Sequence, residues 1–405
     1  MEYRQIPANS DRVSILGFGC MRLPVRSGRI DRPEAARMIE TALEGGVNYF
    51  DTAVIYHKGE SESFLGEVLA GGVRDRVRIA DKLSPWLIES PARMEETLAE
   101  QLKKLKTDRI DYYLLHALNR DFWEKLKKLG VLEFLERARR SGRILNTGFS
   151  YHGDPETFRE VVDAYPWSVC QIQYNLLDRR LQAGEEGMRY AAARGVGVIV
   201  MEPLRGGALV RRLPDEVARA WSRVKGWSPA QTALRWLWNQ PEISTVLSGM
   251  SAPEQVAENL AAAEGMQPGE LESEAAAAVE EVYSLYRRLA RTGCTGCRYC
   301  LPCPAGVNIP RCFSLADDLS IFGERRRAFR LYLLDLGGVN RKRADAGLCT
   351  GCGRCEQACP QQLPIRQLLR EVDRELGGWR LRLGRWPARI VLKLMGLRRR
   401  LRRLF

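Results

Sequence analysis

Over the first 265 positions, short apolar runs alternate with longer stretches whose apolar residues recur at helical spacing. The runs predict buried strands over 15–19, 47–50, 77–80, 110–115, 144–149, 169–173, 196–201 and 243–247. The intervening stretches predict helices over 33–44, 62–69, 91–105, 123–140, 156–164, 187–194, 229–239 and 253–263. Local signals agree: Pro91 stands near a helix start, Leu98, Leu102 and Leu105 share one helical face, and Gly45-Gly46 closes the first helix. Strict alternation forces parallel strands, and eight such units close into a (β/α)8 barrel. The rival is an open, doubly wound sheet with a dinucleotide fingerprint. Neither Gly17-Phe18-Gly19 nor Gly195-Val196-Gly197 continues to a third glycine at the right spacing, so that rival is weak.

Beyond the barrel an Ala- and charge-rich helix is expected over 270–291, then a cysteine-rich region to about 375 and a basic tail. The expected domains are 1–285, 286–375 and 376–405. The chain has 405 residues, is 45% hydrophobic and carries a formal charge of +13. Ten Lys/Arg and no acid fall in 377–405, which leaves 53 basic and 50 acidic residues elsewhere. The basicity therefore belongs to the tail, and nucleic-acid binding is not expected. No apolar run reaches the roughly 18–20 residues of a membrane span. The first residues lack the apolar core of a signal peptide, so a cytoplasmic location is expected.

Three consecutive strands run into a polar residue at or just past their ends: Asp51, Lys82 and His116, with Tyr56 in the loop after Asp51. Barrel enzymes place their chemistry at such strand ends, and these strands are neighbours, so the four side chains are expected to meet in one pocket. A lysine ending a buried strand needs a partner, which Asp51 supplies. A cation beside Tyr56 favours its phenolate and is expected to lower its pKa. Tyr56 would then give a proton to a carbonyl oxygen that His116 orients. Each residue also has a plainer reading: a cap, a lysine reaching solvent, a satisfied buried histidine. Their equivalent placement on three adjacent strands favours the shared site. Trp86, close after Lys82, is a candidate for the pocket wall.

Asp51-Thr52-Ala53-x-x-Tyr56, Lys82 and Leu114-Leu115-His116 resemble the catalytic tetrad of the aldo/keto reductase superfamily. Leu16-Gly17-Phe18-Gly19-Cys20-Met21-Arg22-Leu23-Pro24, Gly148-Phe149-Ser150, Gln171-x-Gln173-Tyr174-Asn175, Glu202-Pro203-Leu204-x-Gly206-Gly207 and Glu258-Asn259-Leu260 resemble further stretches of that family. The resemblance implies hydride transfer between NADH or NADPH and a carbonyl or alcohol, with Tyr56 as general acid, Lys82 and Asp51 as its tuners and His116 as orienter. It also implies that Ser150 and Gln171 meet the nicotinamide amide, that Pro203, Leu204 and Gly206 lie in the loop over the pyrophosphate, and that Glu258 and Asn259 meet the adenine. Met201 stands where many relatives stack a tyrosine on the nicotinamide. Gly249 and Gln255 stand where NADPH-specific relatives place Lys and Arg, which allows NADH.

Eleven cysteines are present. Cys294-x2-Cys297-x2-Cys300-x2-Cys303-Pro304 and Cys349-x2-Cys352-x2-Cys355-x3-Cys359-Pro360 hold eight of them, and the second run has the bacterial ferredoxin spacing. Such local grouping argues for metal rather than disulfides. Two [4Fe-4S] clusters are expected; the plain alternative is a pair of four-thiolate zinc sites. In two-cluster ferredoxins the fourth Cys of each run serves the other cluster. That rule pairs Cys359 with Cys294, Cys297 and Cys300, and Cys303 with Cys349, Cys352 and Cys355. Cys312 is expected to be a buried thiol. Helical spacing over 313–322 and 325–336 makes the region resemble an α-helical ferredoxin domain, as in the ferredoxin-fused branch of aldo/keto reductases.

In the tail Ile390, Leu394, Leu397, Leu401 and Leu404 share one helical face with Arg389, Lys393, Arg400 and Arg403 beside it and beyond. This suits docking on the protein itself or contact with an anionic membrane surface. Two functions follow for the whole: a carbonyl reductase or alcohol dehydrogenase whose clusters exchange electrons with a redox partner protein, or an electron-transfer module in which the barrel is only a scaffold. Hydride carries two electrons and a cluster takes one, so a link between them calls for a flavin or a radical intermediate. No flavin motif is evident, although a barrel binds flavin without one.

Overall fold

The computed structural model describes residues 1–384 apart from 212, 295, 340, 341, 380 and 382, so the basic amphipathic stretch over 386–405 lies outside the described residues. Residues Met1–Arg211 and Arg219–Glu280 form one compact unit, and the second takes in Arg212–Ala218 and the chain from Glu281 onward.

The first unit is a closed barrel of eight parallel strands. These are β1 Leu16–Gly19, β2 Tyr49–Asp51, β3 Arg78–Leu83, β4 Ile110–Leu118, β5 Ile144–Tyr151, β6 Val169–Gln173, β7 Gly197–Met201 and β8 Ile243–Ser248. Each pairs with its neighbour in sequence, and β8 returns to β1 through Val246 opposite Leu16. All eight expected strands are present. A hairpin of Tyr3–Gln5 with Arg12–Ser14, which the apolar pattern did not reveal, precedes them.

Strand alternation decides what faces the barrel axis. Tyr49, Ala80, Tyr112, Leu114, Val169, Ile199 and Leu247 pack with Ile6 and Val13 in one interior cluster. Their immediate neighbours Phe50, Ile79, Tyr113 and Leu115 belong instead to the larger core shared with the surrounding helices. Parity then turns Asp51, Lys82 and His116 inward, together with Ser150, Gln171 and Met201. Helices fit closely on the outside. A Cβ on Gly66 in the helix Ser61–Val68 would lie 2.5 Å from backbone atoms of Lys104 and Leu105.

Two expectations about extent need correction. The single helix over 123–140 is two, Arg120–Lys128 and Val131–Arg140. Gly130, at φ 73°, turns the chain between them, and Asn119 caps the first through Phe122 N. Strand β4 does not stop before His116 but runs on to Leu118 across a register shift, with Ala117 at φ 53°. His116 thus sits on a bulge.

The second unit is mainly helical: Ile309–Phe322, Arg325–Asp335, Arg354–Gln357 and Ile365–Leu376. Phe313, Ala316, Tyr332, Leu369 and Val372 form its core. Asn308 caps the first helix through Arg311 N, and Gly323, at φ 64°, ends it. Cys312 is buried in this core, as expected, with its thiol directed at the Ala344 carbonyl. Among the described residues no helix is long and apolar enough to cross a membrane.

Candidate active site and cysteine cavities

Lys82 is fully buried, and its Nζ lies 2.7 and 2.6 Å from the two Asp51 carboxylate oxygens and 2.7 Å from the Thr52 carbonyl oxygen. The end of β2 and the residue after it thus offer the ammonium three oxygen acceptors. Burial lifts the Asp51 carboxyl above its usual range despite Lys82. Burial pulls the Lys82 ammonium down, and Asp51 together with Tyr56 and Asp81 more than offsets this, leaving it above its usual value.

Tyr56 stands over this pair, with Lys82 Nζ 5.1 Å from its ring centre. The expected lowering of its pKa is not what the structure produces. Burial pushes the phenol up to about 12, and the pull of Lys82 offsets only part of that rise while Asp51 adds to it. The residue keeps some exposure, but dense protein surrounds its hydroxyl. Tyr56 is thus a phenol at neutral pH.

His116 meets Tyr56 edge to face with ring centres 6.3 Å apart. Its Nδ1 is 3.0 Å from Ser84 Oγ, which leaves Nε2 for a ligand. Trp86 packs on the other side at 5.1 Å. Burial, then the positive charge of Lys82, holds His116 well below its usual pKa, so the ring is neutral. Ser84 follows Lys82 by two residues just past β3, and Trp86 lies in the short 3-10 turn Pro85–Leu87; Ser84 was not singled out from the sequence, though its spacing from Lys82 would have revealed it.

The remaining predicted positions ring the same end of the barrel. Ser150 is the next-to-last residue of β5 and accepts from Ala117 N at 2.7 Å, so its hydroxyl braces the β4 bulge. Gln171 on β6 donates towards Met201 Sδ at 3.5 Å, while its Oε1 is buried with no partner. A buried acceptor without a donor is costly, and a ligand amide would satisfy it. Pro203, Leu204 and Gly206 follow β7, and Gly206 has φ 67°. Gly249 follows β8 directly. The other three are engaged within the fold. Gln255 accepts from Ser251 N at 2.8 Å. Glu258 accepts from the Ser228 hydroxyl, and Asn259 donates to Ser248 Oγ at 2.9 Å.

In the second unit the eight grouped cysteines surround two cavities. One, of about 170 Å³, is lined by Cys300, Cys303, Cys349, Cys352 and Cys355. The other, about 20 Å³, is lined by Cys294, Cys297, Cys300 and Cys359, whose thiols must part to admit an inorganic cube. Cys303 and Cys359 each stand with the other run, as the ferredoxin rule requires. Among the described residues no three Cys, His, Asp or Glu side chains close on a single-ion site. Asp317 anchors the approach to the first run by accepting from Thr292 N and Oγ1, both at 2.8 Å.

Comparison with known proteins joins these observations. Residues 15–283 match the aldo/keto reductase family, and they contain all eight barrel strands and the Asp51–Tyr56–Lys82–His116 cluster. The chain belongs to the aldo/keto reductase family. This aldo/keto reductase carries a further domain, since residues 293–364 match the 4Fe-4S dicluster domain. L-galactose dehydrogenase of Arabidopsis thaliana is 26% identical over 314 residues, covering 71% of this chain and 96% of its own. NADH-specific methylglyoxal reductase of Escherichia coli is 24% identical over 312 residues, covering 64% and 93%. The solved structure of aldo-keto reductase AKR11C1 from Bacillus halodurans, holo form, superposes with a TM-score of 0.59 at 28% identity, over 70% of this chain and 96% of that one. The protein is an NAD(P)H-dependent oxidoreductase of the aldo/keto reductase type with an iron–sulfur domain.

Proposed function

We propose that the barrel transfers a hydride between a nicotinamide cofactor and a carbonyl or alcohol substrate, and that the second unit holds two [4Fe-4S] clusters that exchange electrons with a redox partner protein. The carrying observation is the convergence of a buried Lys82–Asp51 pair, a protonated Tyr56 and a neutral His116 in one place.

A nicotinamide held beside Gln171 and Ser150 would supply the hydride. The chain supplies the rest. His116, with Ser84 at Nδ1, offers Nε2 to the substrate oxygen and fixes its position. Tyr56 gives its hydroxyl proton to that oxygen, and the phenolate left behind is stabilised by Lys82, whose charge Asp51 holds in place. Trp86 walls the pocket and limits water. The unpartnered Gln171 oxygen suits the nicotinamide amide, with Ser150 beside it on β5. Positions 249 and 255 carry no cationic side chain of their own, although Arg22 packs against Gly249, and Gln255 is turned to its own helix start. This allows NADH, and an NADH-specific reductase is among the relatives.

The two cysteine cavities support two clusters, one with Cys294, Cys297, Cys300 and Cys359 and one with Cys349, Cys352, Cys355 and Cys303. The ferredoxin spacing of the second run and the match to the 4Fe-4S dicluster domain favour multi-iron cubes over lone zinc ions.

Substituting Phe for Tyr56 in the anaerobically purified protein tests the reading. Carbonyl turnover with NADH or NADPH is expected to vanish while the iron–sulfur absorbance is unchanged. Undiminished turnover would assign the chemistry elsewhere, and no turnover in the unaltered protein would favour the barrel as a scaffold for electron transfer.

A further inference from the structure

Past the ends of β5 and β6 a chain of hydrogen bonds runs from a buried ion pair to an imidazole. Its fixed end is Asp178, whose Oδ2 accepts from Gln173 Nε2 at 2.9 Å, Asn175 Nδ2 at 2.9 Å and Arg205 Nε at 3.0 Å. The Asp178 and Arg205 side chains are each only 6% exposed. From Gln173 the chain continues. Gln182 Nε2 donates to Gln173 Oε1 at 3.1 Å, and Gln182 Oε1 meets His152 Nδ1 at 3.1 Å.

A carboxylate beside a guanidinium only accepts, so it sets the direction of every later bond. Gln173 turns its amide nitrogen to Asp178 and its oxygen to Gln182. Gln182 then turns its nitrogen to Gln173 and its oxygen to His152. An amide oxygen also only accepts, so Nδ1 of His152 carries a proton. In the neutral ring Nε2 is therefore the accepting nitrogen. Gln182 and Arg205 stand at φ 59° and 49°. Such backbone is disfavoured for residues with a side chain and persists where its surroundings over-determine it.

His152 belongs to the mouth of the barrel. Its N donates to the Leu118 carbonyl at 2.8 Å, which continues the β4–β5 ladder one residue past Tyr151. Alternation turns His152 the same way as Ser150, and Gln173 the same way as Gln171. A positive charge on His152 would add to the influences that keep His116 neutral, so the two rings are near each other. Their parts are opposite. His116 offers a donor to the substrate carbonyl, and His152 offers an acceptor.

We propose that His152 is a specificity-determining residue that accepts a hydrogen bond from a hydroxyl of the substrate, which makes the substrate a hydroxy-aldehyde or hydroxy-ketone. The assignment rests on the reading that the barrel reduces a carbonyl at His116. His152 lies two residues beyond Ser150, roughly 7 Å along the strand direction, so the hydroxyl belongs a few bonds from the carbonyl. Asp178 is already engaged by Arg205, so the neutral ring suits a hydroxyl rather than an ammonium. Gln182, Gln173 and Asp178 are positioning residues that hold His152 in its accepting tautomer.

The test uses full-length, cluster-containing protein with NADH or NADPH and two three-carbon probes, glyceraldehyde and propanal. The readout is the ratio of their kcat/KM values, which cancels losses common to both. His152→Phe is expected to lower the glyceraldehyde-to-propanal ratio about tenfold, as loss of one hydrogen bond does, and chiefly through KM. Gln182→Leu, which unlocks the tautomer without touching substrate, lowers it by less. His152→Gln, which keeps an accepting oxygen beside a donating nitrogen, retains part of the preference. Nitrogen-15 labelling of the three histidines reads the ring directly. The signals lost in His152→Phe are expected to show a protonated Nδ1 and an unprotonated Nε2. An unchanged ratio in His152→Phe, or a proton on Nε2 of His152 in place of Nδ1, overturns the assignment alone, with propanal turned over by the unaltered protein. Reduction of neither probe by the unaltered protein overturns the carbonyl reading together with it.

Discussion

Lys82 and Asp51 form a fully desolvated ion pair across two neighbouring barrel strands, with the ammonium within 2.7 Å of both carboxylate oxygens. Removing one member of such a pair leaves a buried charge, which costs about 3–5 kcal/mol. Asp51→Ala is expected to lower unfolding stability by that amount at pH 7, and adding Lys82→Met is expected to recover part of it. Urea unfolding of the single and double variants checks this. A double variant less stable than the sum of its parts would show that the pair is not the source of the effect.

The pH dependence follows from two shifts. His116 is held neutral, so ionisation of this ring introduces no break in carbonyl reduction near its ordinary pKa of 6.5. Tyr56, pushed up to about 12, stays protonated throughout the physiological range. Reduction is expected to be level from about pH 6.5 to 9 and to fall only on the far alkaline side. The stability linked to His116 has the opposite sign: its folded pKa is depressed, so the contribution is complete above 6.5 and is lost as the pH falls towards the folded value. A pH–rate profile that breaks near 6.5 and loses the break in His116→Gln would refute the neutral ring.

The buried Gln171 oxygen predicts a selective effect. Gln171→Leu is expected to weaken NADH by roughly tenfold, about the worth of one buried hydrogen bond, and to leave ADP-ribose unchanged. Equal weakening of both would place the side chain away from the nicotinamide.

The crossed arrangement of thiols predicts which cysteine serves which cluster. Cys303→Ser disturbs the cluster of the second run, Cys359→Ser that of the first, and each is expected to reduce iron from about eight atoms per chain to about four. Cys312→Ser, in the core and outside both cavities, is expected to leave iron unchanged. Iron and sulfide analysis with electron paramagnetic resonance of the reduced proteins reads all three. Zinc in place of iron would overturn the cluster assignment.

Much of the barrel was legible because a parallel strand buried on both faces shows as an apolar run, and a helix over it shows its own period. Parity along β2, β3 and β4 then carries Asp51, Lys82 and His116 to one interior layer. The break at Gly130 escaped because both flanking segments keep helical spacing, and only the turn separates them. The direction of the Tyr56 shift was misjudged because a sequence names the nearby cation but not the depth of burial, and burial wins. The position of Gln171 was legible in the sequence, but its oxygen left without a donor shows only in three dimensions.

The most direct test of the whole account is the fate of deuterium carried at C4 of the nicotinamide. With [4-2H]NADH or [4-2H]NADPH of the transferred face and a reducible aldehyde, the full-length protein is expected to place one deuterium on the carbinol carbon of the product, and Tyr56→Phe to abolish the transfer. Alcohol formed without deuterium, its hydrogen drawn from solvent while the clusters are reduced and reoxidised, would contradict hydride transfer in this barrel.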